Sequence, residues 1–442
     1  MTIDETMSPD VSVAAGRTEA RPKPPSPPPA SAAGPGEQTR GRGLGLRDQM
    51  PPLGMTEYWY PAIADRKVPS RKGVRRTLLG REIVFFRGKQ GDVAALTNWC
   101  PHRNASLAGG KCLFQGTITC PYHGLTFDET GTPQAFLGEG SQSKFIHRRG
   151  SNARSYPTRT LKGLVFIWMG DDEPSPIEED IPPEFFDESA LVMHSEQRWR
   201  ANWRPALENL QDSHAFFVHR NSIEVLSQDE SGLNLLLHMG PDRPSTKIVN
   251  GRALVFENPR FFDFQDSNQD RKTNLARPEF QESYSGLGGA KFPKTKARLY
   301  LSHVMGFLRR HLRKKRDWLV EDEEWSLGVH LPTTFRFDYQ THVYSRAVTP
   351  LDEKESWIFY YNTSYPRSPA WRLYRRLNYV LYYNWKQHRN FSGQDKRIVE
   401  GISYEEPGER FSSSDAFPLA YRILVAEHSR RPGNSKPDPA TS

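Results

Sequence analysis

The chain has 442 residues, 36% of them apolar, and a mean hydropathy of −0.70, enough for two or three domains. No uninterrupted apolar run approaches the ~18 residues of a membrane-spanning helix. Three cysteines are too few for a disulfide framework, so reducing, cytoplasmic surroundings are expected. The start, with Asp4 and Glu5, has no apolar run behind a basic stretch and offers no secretory signal. A net charge of +8 and a pI of about 9.2 raise nucleic acid as a partner. The Lys and Arg residues are nevertheless spread along the chain without a nucleic-acid-binding motif, which argues against that class. A solvated surface, or a docking face for an acidic protein, is the expectation.

Residues 1–50 contain PKPPSPPPASAAGPG and almost no large apolar side chains. Such a segment cannot bury enough surface to offset its ordering entropy and reads as a disordered extension. Folded sequence is expected from about Tyr58-Trp59-Tyr60-Pro61, with a first domain over 51–170. There, short strands alternate with Gly and Asp/Asn turns, at 82–87, 93–97, 116–119 and 163–168, the pattern of a small antiparallel β domain. Gly170-Asp171-Asp172-Glu173-Pro174 reads as a boundary. Beyond it, strands at 335–343 and 357–362 mix with helical stretches near 203–219, 297–319 and 368–404. That mixture suggests an α+β second domain over 171–430, followed by a tail at 431–442.

The strongest chemical signal is Cys100-Pro101-His102, a spacer of 17 residues, and Cys120-Pro121-Tyr122-His123. Two thiolates and two imidazoles fit a structural zinc, and equally a [2Fe–2S] centre with two cysteines on one iron and two histidines on the other. The surrounding text, CPHRNASLAGG and CPYHGLTFDETG, resembles the two loops of Rieske domains. The resemblance implies Cys100 and Cys120 as thiolate ligands and His102 and His123 as imidazole ligands of a Rieske cluster. Leu125 departs from the family, which usually has Trp there. Cys112 matches no ligand position and reads as an ordinary thiol. Arg103, beside His102, is a candidate contributor to the electrostatics of the cluster.

The segment Leu207-Glu-Asn-Leu-Gln-Asp-Ser-His-Ala-Phe-Phe-Val-His219 puts His214 and His219 in an expected helix. Five residues is about 140° of rotation, a poor match for one shared face. A π-type bulge or the end of the helix would bring the rings together. Glu208-Asn209-Leu210 followed by His-x4-His is similar to the mononuclear-iron helix of Rieske non-heme iron oxygenases. The resemblance implies His214, His219 and a distant carboxylate as a 2-His-1-carboxylate triad for Fe(II), with Asn209 and Asp212 as catalytic positions. Ser392-Gly-Gln-Asp-Lys-Arg-Ile-Val-Glu-Gly401 resembles the segment of the third ligand, with Asp395 as that ligand and Glu400 as runner-up. The family usually has an acid three residues before the first histidine, linking it to a cluster histidine of a neighbouring subunit. Here Gln211 holds that spacing and Asp212 lies one residue closer, and Asp212 is the expectation because a carboxylate orients an imidazole ligand.

The resemblance covers about residues 55–405 and implies a Rieske β domain plus a helix-grip-like catalytic domain with an antiparallel sheet and helices. It also implies a homotrimer, O2, an organic substrate, and electrons from an NAD(P)H-dependent reductase or ferredoxin, since no GxGxxG fingerprint is present. Rival readings are a Rieske electron carrier with an unrelated C-terminal domain, and a zinc-binding interaction protein. Leu308-Arg-Arg-His-Leu-Arg-Lys-Lys-Arg316, followed by Glu321–Glu324, reads as a solvated face or a docking patch. Phe216, Phe217, Phe335, Phe337, Tyr360 and Tyr361 are candidate pocket or core aromatics.

Overall fold

The computed structural model describes residues 50–211, 214, 218–219, 245–257, 323–338, 342–403, 409–412 and 415–433. Ten strands precede residue 170: β1 Trp59–Ala64, β2 Val74–Leu78, β3 Arg81–Arg87, β4 Val93–Thr97, β5 Thr117–Thr119, β6 Leu125–Asp128, β7 Pro133–Phe136, β8 Ser155–Tyr156, β9 Thr158–Leu161 and β10 Leu164–Trp168. They form three sheets, in the orders β1-β10-β9, β2-β3-β4-β8 and β5-β6-β7. Seven more strands follow: β11 Leu191–Trp199, β12 Thr246–Val249, β13 Ala253–Phe256, β14 Gly328–His330, β15 Thr334–Asp338, β16 Val343–Pro350 and β17 Ser356–Ser364. These make one antiparallel sheet, β11-β17-β16-β15-β14-β13-β12, in which the first strand pairs with the last. Helices α1 Trp203–Glu208, α2 Pro369–Asn378, α3 Ser392–Val399 and α4 Ala416–His428, with a π-helix at Tyr379–Phe391, complete the α+β architecture. Among the described residues no helix is long and apolar enough to cross a membrane.

Strand alternation assigns side chains to separate cores. Ile83 and Phe85 of β3 enter the main apolar cluster, while Val84 and Phe86 pack into a second one with Cys100, Leu107, Cys120, Leu125 and Phe127. The main cluster also holds Tyr60 and Ile63 of β1, Trp199, Trp203, and Val348, Ile358 and Tyr360 of the large sheet. The β2–β3 turn carries positive φ at Leu79 (49°) and Gly80 (72°), the geometry of a type I′ hairpin. Its two N–H groups bond to Pro350 O at the end of β16 and to Leu351 O just after it, at 2.8 and 2.6 Å. The chain end returns to the start: the Arg430 guanidinium pairs with Asp180 (2.9 Å) and its N–H donates to Tyr58 Oη.

Several sequence expectations are sharpened. The strand expected over 335–343 contains β15 and the first residue of β16, with 339–341 outside the described residues. The helical stretch at 297–319, the basic run 308–316 and Glu321 also lie outside them. The stretch 368–404 is three elements, α2, the π-helix and α3, rather than one helix. Ordered chain begins ahead of Tyr58: Met50 is buried in the main cluster, Trp203 Nε1 donates to Pro51 O (2.9 Å), and Asn202 Nδ2 donates to Pro52 O (3.0 Å).

Deleting 1–49, whose composition offers little to pack, is expected to leave the thermal midpoint nearly unchanged. Deleting through Leu53 is expected to cost about 3–5 kcal/mol, from the lost Met50 burial and the orphaned indole N–H. Denaturant melts of the two truncations check this, and equal midpoints would contradict it.

Candidate metal centres

The first centre is built from two loops of matching geometry. Asn104 N–H bonds back to Cys100 O (2.8 Å) and Gly124 N–H to Cys120 O (3.1 Å). Asn104 and Gly124 both take left-handed backbone, φ 54° and 72°, which closes each loop within a few residues. The curl aims the N–H groups of His102 and Arg103 at the Cys100 sulfur, and those of Tyr122 and His123 at Cys120. Backbone nests of this kind favour negative charge. The thiols are buried while His102 and His123 are half-buried, their rings 4.7 Å apart. The bond between the two thiols holds a proton on Cys100, pushing that thiol up, and pulls Cys120 down to about 6. Inner sulfurs and outer imidazoles are the donor set of a mixed Cys/His cluster. Leu125 is fully buried behind the loop, Cys112 is half-buried with its thiol pushed up by burial, and Arg103 lies 5.8 Å over the Tyr122 ring.

The second centre joins residues far apart in sequence. Asn202 caps α1 by accepting from Arg204 N (2.9 Å). The helix stops at Glu208, and tighter bonds, Leu210 N to Leu207 O and Gln211 N to Glu208 O, turn the chain away. The single helix expected over 203–219 is therefore corrected: His214 is outside helix, while Val218 is helical and bonds back to His214 O (3.0 Å). That break brings the rings to 5.4 Å between centroids, with Nε2 of His214 and of His219 at 3.1 and 2.9 Å from the same oxygen, Asp395 Oδ1. One donor atom from each residue lies within 4.8 Å of the others. Burial raises the Asp395 carboxyl, and the His219 and His214 imidazoles outweigh it, holding the group below the usual carboxylate range.

Gln394 Oε1 lies 3.3 Å from His219 Nδ1, and the tautomer in which Nδ1 donates to it leaves the Nε2 lone pair facing Asp395 Oδ1. A cation there would take the place of the proton in a His–Asp hydrogen bond, and this donor set suits Fe(II). Asn209 Nδ2 is 3.4 Å from His214 Nε2, and Phe391 stacks on His219 at 3.6 Å. Glu400 turns away, accepting from Arg200 N (2.8 Å). Asp212, Phe216 and Phe217 lie outside the described residues.

Two family models match successive parts of the chain. A Rieske [2Fe-2S] domain family matches residues 58–145, and a homotrimeric ring hydroxylase family matches 168–258. The chain thus carries a Rieske [2Fe-2S] domain over 58–145 and, after it, a segment similar to homotrimeric ring hydroxylases. It is 34% identical over 180 residues (40% of this chain, 46% of the relative) to a carbazole 1,9a-dioxygenase terminal oxygenase component of Sphingomonas sp.. It is 31% identical over 205 residues (45% and 57%) to the dicamba O-demethylase oxygenase component of Stenotrophomonas maltophilia. The aligned part thus spans about half the length of these curated relatives. In fold, the terminal oxygenase of carbazole 1,9a-dioxygenase from Nocardioides aromaticivorans matches with a TM-score of 0.65 at 22% identity, over 87% of this chain and 97% of that one. A reduced oxygenase–ferredoxin complex of carbazole 1,9a-dioxygenase matches at 0.62 and 21%, over 87% and 92%. The ring-hydroxylase match at 168–258 and a fold match over 87% of the chain do not fit an unrelated C-terminal domain.

Two residues of the second centre escaped the sequence reading. Gln394 adjoins Asp395 and was legible only as a polar neighbour. Arg346, inside β16, is fully buried: Nη2 donates to Ala206 O (2.8 Å), while Nη1 lies 3.5 Å from Asn209 Oδ1 and 4.0 Å from Asp395 Oδ2. The candidate aromatics divide by strand face. Phe335, Phe337 and Tyr360 join the main cluster, whereas Tyr361 packs edge-on to Phe185 (4.9 Å) in another.

His388, in the π-helix, is fully buried 4.3 Å from Tyr360, with neither ring nitrogen hydrogen-bonded among the described residues. Burial, aided by Arg346, pulls its imidazole down to about 3. Below ~6.5 the unfolded chain takes up a proton that the folded one refuses, so stability falls from about pH 6.5 toward 3, by up to about 1.4 kcal/mol per pH unit. His388→Phe is expected to flatten that acid limb, read as stability against pH in denaturant melts. Parallel limbs would refute it.

Proposed function

We propose that this chain is the oxygenase component of a two-centre oxygenase, oxidising a small, largely apolar organic molecule with O2 and electrons from a separate NAD(P)H-dependent reductase or ferredoxin. The observation that carries the reading is the convergence of His214, His219 and Asp395 on one buried point in a chain that also bears a Rieske domain. Residues 51–170 would hold the cluster through Cys100, Cys120, His102 and His123, and 171–430 would hold the mononuclear iron. A homotrimer and a cytoplasmic location complete the proposal, the first suggested by the matched family and the second by the low cysteine count.

When bound, the cluster supplies single electrons, and the iron supplies open coordination positions for O2 and substrate chemistry. The chain's own residues do the rest. Gln394 keeps His219 in the tautomer whose Nε2 is free to ligate, Arg346 and Asn209 brace Asp395 and His214, and Phe391 shields one face of His219 from water. Asp212, on sequence grounds, would carry the link from His214 to a neighbouring subunit's cluster histidine, His123. A second reading gives that link to Gln211, which is buried with neither amide atom hydrogen-bonded among the described residues.

Iron content separates the roles. The wild type is expected to bind three irons per chain, and Asp395→Ala two, with the cluster spectrum intact. Cys120→Ala is expected to lose the cluster. Asp212→Ala is expected to keep most of its iron but lose product yield by roughly tenfold or more, the scale of a lost ligand-orienting group. Two irons in the wild type would sink the oxygenase reading. A silent Asp212→Ala beside a damaging Gln211→Ala would move the link to Gln211.

A further inference from the structure

The segment after β7 straps across the second cluster loop and is tied to it by backbone bonds. Leu137 N donates to Gly124 O (3.1 Å) and Gly138 N to His123 O (3.0 Å). Glycine is needed for that approach, since a Cβ at Gly138 would lie 2.8 Å from His123 O. A turn follows, in which Glu139 N and Gly140 N both return to Phe136 O (3.0 and 2.9 Å), with Gly140 at φ 79°. Buried Ser143 closes the strap: its hydroxyl donates to Glu139 Oε2 (2.5 Å) and accepts from Phe145 N (3.2 Å).

These bonds bring two phenyl rings, one from each end of the strap, to a single cluster histidine. Phe136 and Phe145 each lie 5.2 Å from the His102 ring, at interplanar angles of 71° and 68°, and 5.5 Å from each other. Edge-on contact of this kind is a favoured arrangement of aromatic rings. His123 is placed differently, with Phe136 at 6.4 Å and the Tyr122 ring, which carries a hydroxyl, at 3.7 Å. Phe136 is buried in the apolar cluster that holds Cys100 and Cys120, and Phe145 packs against it. All these rings belong to one chain, so the arrangement does not depend on a neighbouring subunit.

Charge gives the arrangement a consequence. Two ferric ions, two sulfides and two thiolates sum to zero, and one-electron reduction turns the cluster into an anion. Nearby dipoles and hydrogen-bond donors stabilise an anion, and apolar surroundings disfavour it, so the shell around a metal centre tunes its potential. At His102 that shell is two phenyl rings.

We propose that Phe136 and Phe145 are positioning residues of the cluster, which hold the His102 ring and keep the midpoint potential down. The reduced cluster is thereby a stronger electron donor than the same four ligands would be beside a polar side chain. The proposal rests on the Rieske domain alone and is independent of the reaction assigned to the second centre.

Redox titration of the cluster-loaded, full-length protein, followed by visible absorbance and by EPR of the reduced form, tests this without turnover. Phe145→Asn is expected to raise the equilibrium constant for reduction at least ~10-fold, a rise of ~59 mV for one electron, with the histidine-ligated EPR signal retained. Phe145→Leu keeps the site apolar and is expected to stay within about threefold of the wild type. An unchanged potential in Phe145→Asn overturns the proposal. An equal rise in Phe145→Leu overturns it too, because lost packing and not polarity would then set the potential. Should Phe145→Asn fail to retain the cluster, Phe145→Tyr keeps the ring and adds one hydroxyl. That variant is expected to raise the potential, and no rise in it overturns the proposal equally.

Discussion

Two imidazole nitrogens and one carboxylate oxygen converge on a single buried point, where the carboxylate's charge has to be balanced by an imidazole proton or by a metal ion. Asp395 and His219 are almost wholly inaccessible, so water cannot supply that balance. The surroundings are organised by this constraint. Gln394 fixes which nitrogen of His219 is free, and Phe391 covers the ring. Arg346 lies behind the second carboxylate oxygen, which gives the buried anion a partner even before a metal arrives.

The supports reach further than the site. Glu208, at the end of α1, is gripped by Arg422 of α4 through two hydrogen bonds of 2.6 and 2.8 Å, while Glu409 binds both Arg204 and Arg422. A buried network of this kind contributes little net stability but is costly to break at one member, roughly 3–5 kcal/mol. Its value here is positional: it fixes the end of α1, from which the chain turns toward Asn209 and His214. The matching anchor on the other side is the π-helix, whose irregular winding delivers Phe391 and then Asp395 to the histidines. Irregular helices are common at such places because a functional requirement sustains them against regular packing.

How much of this was legible in the sequence depended on distance along the chain. The cluster residues announce themselves because each loop holds a Cys and a His two or three residues apart, and the loop closes on itself. Strands β4 and β10 were visible from apolar runs between turn residues. Asp395 lies 181 residues from His214, so no local pattern could join them, and only a family resemblance did. The end of α1 at Glu208 was missed because apolar spacing runs on past it, while the turn at Leu210 and Gln211 depends on backbone bonds. Arg346 was invisible for another reason: an arginine in a strand reads as solvent-facing, and only the sheet packed against α1 shows it enclosed. The π-helix had no signature beyond a long helical pattern.

The two-sided burial of β3 limits how this protein can be cut apart. Val84 and Phe86 serve the cluster loops, while Ile83 and Phe85 from the same strand serve the core shared with the large sheet. An excised cluster module would carry Tyr60, Ile63, Ile83 and Phe85 as a bare apolar face and would tend to self-associate. Recombination with a foreign catalytic half would succeed only where the incoming sheet reproduces the contours of Trp199, Val348 and Tyr360. Exchange of parts between proteins of this fold is thus governed by one seam of hydrophobic fit, set apart from either candidate metal centre.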